Sequence, residues 1–281
     1  MKRIILVISA LFLAINVSGQ ALSSLLIPAD PRSLSMGGAY VPSYDAMLDA
    51  QAVFGIWAPS YAHNIVAGAD GYLRLGDRII LTLGGKDFID KPYDISGDQG
   101  AIKGSFKPYE LILSIGGAYC INDAISAGIA LKTITSVLGD NAKSSAFCGD
   151  LWGKYSGASY YAGLAIRNLG TPINYGNGAY NLPSLIAAHG GWTPVKGLNV
   201  AAEADFLFSG TFMAGAGAEY CYADIVTARA GFHYGDPSKA LPTFASLGLG
   251  GKFFGVHLDA AYIFASPTIG NSFMISLGYA F

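Results

Sequence analysis

Eight side chains carry most of the charge that could do chemistry: Lys132, Arg167, Glu203, Asp205, Glu219, Arg229, His257 and Asp259. His257 and Asp259 stand two residues apart, so on an extended strand both point to one face and the carboxylate can orient the imidazole. No Ser-containing nucleophile motif accompanies them, and no two carboxylates form a recognisable pair at the end of a segment. No two histidines stand four apart as zinc ligands on a helix would. The glycine pairs at Gly37, Gly84, Gly116, Gly190 and Gly250 precede no helix with Lys-Ser or Lys-Thr, which excludes a phosphate-binding loop. The reading is therefore non-enzymatic, with no catalytic residue, cofactor or metal site. The polar set becomes a candidate internal network: Glu203, Asp205, Glu219 and Arg229 lie on consecutive segments and can pair across them.

What must position these groups is a set of strands. In Ser272–Phe281 the odd positions Phe273, Ile275, Leu277, Tyr279 and Phe281 are apolar, and the even positions Ser272, Met274, Ser276, Gly278 and Ala280 are mostly small or polar. The same period of two recurs over Leu198–Phe208, Ile225–Tyr234 and Val256–Phe264. Segments of about ten residues with one apolar face are the pattern of a transmembrane barrel strand. Each of the eight charged residues falls on the face with Gly and Ser. Turned toward lipid, an Arg or Lys near the midplane would cost about 2–4 kcal/mol, so the register places all eight inside.

Composition agrees. Hydrophobic residues make up 52% and charged residues 13% of the 281, yet past the N-terminus no apolar run approaches the length of a membrane helix. Tyr and Phe gather near segment ends, as at Tyr160, Tyr161, Phe206, Phe208, Phe253 and Phe254, where rings would form two interfacial girdles. A net charge of −2 gives no reason to expect nucleic-acid binding. Cys120, Cys148 and Cys221 are odd in number and lack zinc spacing; one disulfide is allowed and none is required.

Lys2, Arg3, the apolar run Ile4–Ile15 and the small residues near Gly19 predict a secretory signal peptide over residues 1–19. Residues 20–62 are expected to form an N-terminal plug segment containing a first strand near Ser33–Val41, and residues 63–281 the barrel. Short connections at Asn122–Asp123, Ala223–Asp224 and Phe254–Gly255 alternate with longer ones, which places the long loops outside and both termini in the periplasm. The expectation is an all-β antiparallel transmembrane barrel of about fourteen strands in the outer membrane, with outer-membrane lipid around it. Asp45, Ala46, Met47, Leu48, Ala50, Gln51, Ala52 and Phe54 are mostly helix-compatible and predict a short helix that Pro59 ends. The candidate plug residues are Asp30, Arg32, Asp45, Trp57 and Pro59.

Short stretches carry a family likeness: Ile27-Pro-Ala-Asp-Pro-Arg32, Met36-Gly-Gly-Ala39, Asp45-Ala46, Gly163-Leu-Ala-Ile-Arg-Asn-Leu-Gly170, Arg229-Ala-Gly-Phe232 and Leu258-Asp-Ala-Ala-Tyr262. In order and spacing the chain resembles the PorV/PorQ family, within the wider group of FadL-like outer-membrane barrels. Where that family carries Asn-Pro-Ala, Trp57-Ala-Pro-Ser60 stands here, sharing only Pro59. The resemblance implies an accessory of type IX protein secretion in Bacteroidetes. Its partners would be cargo with a C-terminal signal domain or machinery subunits, met through loops near Tyr93–Gly100, Leu138–Ser145, Thr171–Asn181 and Gly235–Pro242. The FadL side of the likeness implies instead a channel for small hydrophobic ligands, its lumen blocked by an N-terminal hatch.

Overall fold

The computed structural model describes residues 21–40, 46–57, 64–96, 102–139, 142–176, 178–236, 238–265 and 270–281. The signal-peptide expectation over 1–19 lies outside them, as do Asp45 and Pro59. Strands β1 (Leu48–Trp57), β2 (Asn64–Leu75) and β3 (Ile79–Ile89) are followed by a small separate hairpin of β4 (Tyr93–Ser96) and β5 (Ile102–Phe106). The chain continues through β6 (Tyr109–Cys120), β7 (Ile125–Gly139), β8 (Ala142–Ser156) and β9 (Tyr160–Gly170). A second short ladder, β10 (Ile173–Asn174) with β11 (Ala179–Tyr180), precedes β12 (Leu185–Val195), β13 (Leu198–Leu207) and β14 (Phe212–Tyr222). The last four are β15 (Val226–Tyr234), β16 (Phe244–Phe253), β17 (Val256–Phe264) and β18 (Ser272–Ala280). Among the described residues fourteen of these form one closed antiparallel barrel, each paired with its sequence neighbour outside the two short ladders. The ring is sealed by β1 against β18, from Asp49 opposite Ala280 to Ile56 opposite Phe273.

Side-chain alternation gives the wall two surfaces. Leu83, Ile115, Leu131, Leu151, Leu164, Leu249, Leu258 and Leu277 are exposed and form an apolar outer belt, edged by rings such as Tyr119, Tyr160, Trp192, Tyr220 and Phe253. That is the surface a bilayer requires of a barrel. The tight turns cluster at one end. Ala223 and Asp224 have φ of 53° and 59°, and Phe254 and Gly255 have 49° and 81°. Positive φ at both central residues is the two-residue hairpin geometry that matches strand twist. The long connections, 90–108, 171–184 and 235–243 among them, leave from the other end.

Two sequence expectations need correction. The fourteenth barrel strand is not near Ser33–Val41 but at Leu48–Trp57, where a helix was expected, so the barrel begins at Leu48 rather than residue 63. In β1, Ala50, Ala52 and Phe54 are exposed on the outer face, while Val53, Gly55 and Trp57 are buried on the inner one. Alanine fits a helix, and here it hides a period of two. Residues 31–35 form instead a short helix, α1 (Pro31–Ser35), inside the barrel. Pro31 occupies its first turn, and the Asp30 carboxylate accepts a hydrogen bond from the Ser33 amide at 2.8 Å. Such a cap satisfies one of the free amides at a helix start.

Candidate functional site: the lumen and its hatch

The inner wall divides along its height. Toward the long loops it is apolar: Trp57, Val66, Phe88, Ile134, Leu185, Leu207, Met213, Phe244 and Ile263 are buried there in one cluster. Toward the tight turns the inward positions are Asp49, Gln51, Asp70, Glu219, Arg229, His257 and Asp259, with glycines between them. Residues 21–40 thread this lumen. The Ala21 amide donates to the Asn181 carbonyl in the long loops at 3.1 Å, and a 3-10 turn (Ser23–Leu26) leads inward to α1. At the other end the Met47 amide donates to the Phe281 carbonyl at 2.7 Å, beside the tight turns.

Two kinds of contact hold this segment. The first is close backbone packing on a floor without side chains. A Cβ at Gly231 would lie 2.2 Å from the Gly37 nitrogen, one at Gly217 would lie 2.6 Å from the Met36 Cα, and one at Gly248 would lie 2.4 Å from the Ser35 Cβ. Gly37 itself has φ of +72°, which favours glycine. The Ser246 hydroxyl donates to the Ser35 carbonyl at 3.0 Å, and His233 Nδ1 donates to the Gly37 carbonyl at 3.1 Å. The second is charge. Arg32 donates to both oxygens of Glu219, Nη2 to Oε1 at 2.5 Å and Nε to Oε2 at 3.0 Å, the two-pronged geometry a guanidinium makes best.

From Glu219 the ionic chain runs around the wall. Arg229 Nε donates to Glu219 Oε2 at 3.0 Å and its Nη1 to Asp259 Oδ1 at 2.5 Å. Glu219 and Arg229 are direct partners across β14 and β15. His257 Nδ1 stands 3.7 Å from Asp259 Oδ2, while its Nε2 donates to Asp49 Oδ1 at 2.8 Å, reaching β1. A second group sits apart. Arg167 donates to both Glu203 oxygens, at 2.5 and 3.3 Å, and the Tyr40 amide donates to Glu203 Oε2 at 3.0 Å. Asp205 shares that face of β13 and, among the described residues, makes no ion pair. Lys132 pairs with Asp150 at 2.6 Å and donates to the Asn168 side chain at 2.9 Å, with no direct bond to the other seven candidates among the described residues.

The candidate residues therefore fall into three clusters rather than one. Of the plug candidates, Asp30 and Arg32 belong to the threaded segment. Trp57 does not: it is a buried wall residue of β1, edge-to-face with Phe244 at 6.4 Å. The sequence reading missed Asp49 and Asp150, the partners of His257 and Lys132, and Tyr40, which ties the segment to Glu203. Asp49 and Gln51 alternating with Ala50 and Ala52 were the available signal. Among the described residues no three His, Cys, Asp or Glu side chains gather as metal ligands, and Cys120, Cys148 and Cys221 are unbridged. Beside the threaded segment lies a cavity of about 820 Å³. Its walls run from Leu241 in the long loops, past Met213 and Leu185, to Arg229, Asp259 and then Asp224 at the tight turns.

Comparison with solved structures places this architecture. The chain is similar to the Ralstonia pickettii toluene transporter TbuX, with a TM-score of 0.62 at 13% identity over 91% of this chain and 99% of that one. The fold is that of the FadL-type outer-membrane barrels. The CymD monoaromatic hydrocarbon channel aligns with a TM-score of 0.60 at 14% identity, covering 91% of this chain and 98% of its own. A Pseudomonas aeruginosa FadL homologue gives 0.54 at 13%, covering 92% and 99%. No family model matches the chain, and no curated protein matches it. Residues 21–40 thread the lumen of this barrel.

Proposed function

We propose that this protein is a non-enzymatic outer-membrane channel for small hydrophobic compounds, gated by the hatch of residues 21–40. The observation that carries the reading is the cavity beside the hatch, walled from the external loops to the tight turns. An apolar compound arriving from outside meets the buried cluster around Trp57, Phe88 and Phe244, where it sheds water at about 25 cal/mol per Å² of apolar surface. The apolar outer belt supports placement in the outer membrane with the long loops outside. The fold supports the transport reading, since proteins sharing it are described as transporters and channels for toluene and other monoaromatic hydrocarbons. The comparisons favour this over the secretion accessory that the short PorV/PorQ-like motifs imply, and nothing in them supports a secretion cargo or machinery partner.

The test is uptake of radiolabelled toluene by bacterial cells that carry this barrel in an intact outer membrane, against matched cells lacking it. Faster uptake with the barrel is expected. Equal rates would sink the channel reading, and unchanged surface display of C-terminal-signal proteins on deletion of the gene would separate it from the secretion role.

A further inference from the structure

A carboxylate in the lumen wall lacks a counter-charge. Asp205 stands on β13 one inward position nearer the long loops than Glu203, and its direct partners across the two ladders are Ala187 and Met213, which offer no side-chain donor. Its Oδ1 is buried and, among the described residues, has no hydrogen-bond partner. The guanidinium of Arg167 gives both Nη groups to Glu203, and Lys132 is paired with Asp150. On the neighbouring strand β12 the imidazole of His189 is buried, and among the described residues neither of its ring nitrogens is bonded. Both side chains line the cavity of about 820 Å³ beside the hatch.

Charge decides what fits such a place. A buried carboxylate is costly until an opposite charge or a proton compensates it. A neutral hydrocarbon leaves Asp205 and His189 as they are, and an anion is repelled. An alcohol gives Asp205 one hydrogen bond and no counter-charge. A metal ion needs a set of ligands, and among the described residues no three His, Cys, Asp or Glu side chains gather as one. An ammonium supplies both a unit positive charge and three N–H donors, and it meets acceptors only: the Asp205 carboxylate and the unprotonated nitrogen of a neutral imidazole. The rest of the surroundings is apolar. Leu185, Met213 and Leu241 line the same cavity and belong to the buried cluster.

We infer that this part of the cavity is a binding site for a compact hydrophobic amine in its ammonium form, its charge on Asp205 and its apolar body against Leu185, Met213 and Leu241. The inference rests on the reading of the lumen as a route for small compounds, and it adds a cationic class to the neutral ones. Glu203, two residues away on the same face, accepts from the Tyr40 amide at 3.0 Å, so the site adjoins the point where the hatch meets β13.

Benzylamine and benzyl alcohol have nearly the same shape and differ in charge at neutral pH, so they are the probes. Equilibrium dialysis on the full-length folded barrel, with uptake by detergent alone subtracted, should show benzylamine held about tenfold more tightly, the scale of one charge-assisted contact. Asp205→Asn keeps the size, removes the charge and should erase that preference. Benzoate should bind more weakly than benzyl alcohol. Equal binding of benzylamine and benzyl alcohol by the unaltered protein would overturn the site; it is the result expected if Asp205 and Glu203 share a proton, and it needs no variant to fold. Undiminished amine preference in Asp205→Asn, checked as folded by its heat-modifiable band, would overturn it as well, and so would benzoate held as tightly as benzylamine. Toluene uptake is read separately: absence of amine preference with uptake intact removes this site and leaves the channel, and the reverse result removes the channel and leaves the site.

Discussion

The two halves of the lumen hold the same hatch by opposite means. Toward the long loops, Leu22 and Leu34 are buried among Phe244, Ile263 and Met274 in a grip without direction. Toward the tight turns, Arg32, Glu219, Arg229 and Asp259 fix orientation through hydrogen bonds whose geometry allows one arrangement. An apolar grip tolerates sliding and replacement by another apolar body; a chain of ion pairs tolerates neither. The difference teaches that the long-loop half holds the segment without fixing its direction, and the tight-turn half fixes its register.

Breaking the ionic half should have the largest effect. Glu219→Gln leaves Arg229 buried with Asp259 as its remaining carboxylate and frees Arg32, and removing one member of a buried pair costs about 3–5 kcal/mol. The expected result is a lower unfolding midpoint in urea and protease cleavage near Arg32. Unchanged protection of Arg32 would mean the charges do not anchor the hatch. Leu34→Ala tests the other half. This side chain is fully buried, and its truncation should loosen the hatch by about 2–5 kcal/mol, with faster toluene uptake as the readout. Should both variants shift only the urea midpoint, with no change at the hatch, the comparison between the halves would collapse.

Gly231→Ala is a finer probe, because the added carbon meets hatch backbone rather than a movable side chain. Forcing the two apart should cost about 1–3 kcal/mol. Amide exchange at Gly37 and Gly38 should rise while the far wall at β6 and β7 stays protected.

The smallest effect is expected outside both halves, in the external loop at Asp236. Its carboxylate accepts from the Ser238 hydroxyl at 2.7 Å and the Ser238 amide at 3.0 Å, which hold its pKa below the ordinary carboxylate range. A lowered pKa means that this turn is favoured above the ordinary range and loses that support as pH falls through the lowered value. The protection factor of the Ser238 amide, its exchange rate relative to an unstructured peptide at the same pH, should therefore stay constant from neutral to mildly acid pH and fall only below it. Toluene uptake should not follow.

The barrel was legible in the sequence because lipid and lumen impose a period of two on every strand. The inward direction of Arg229 and Asp259 followed from that period alone. Their grouping did not. Glu219 meets Arg229 through direct strand pairing, which adjacency could suggest, but Arg167 reaches Glu203 across the whole of β12, and Lys132 reaches Asp150 instead. Such pairings depend on side-chain length and on strand stagger, neither of which leaves a mark in the spacing. The N-terminal segment was given the wrong elements. Alanine in β1 suited a helix, and five residues of true helix between Asp30 and Met36 are too few to show a period.

The seam between β1 and β18 also sets an order of assembly. It joins the two strands furthest apart in sequence, so the ring stays open until β18 is in place. Residues 21–40 precede β1 and end up inside the ring, reaching from the tight-turn rim to the external loops. Pulling them lengthwise through a finished cylinder would drag Arg32 past the apolar wall, whereas laying them along an open sheet needs no such passage. The glycines at 217, 231 and 248 leave the room that lets the backbone of residues 35–37 lie flat on that wall.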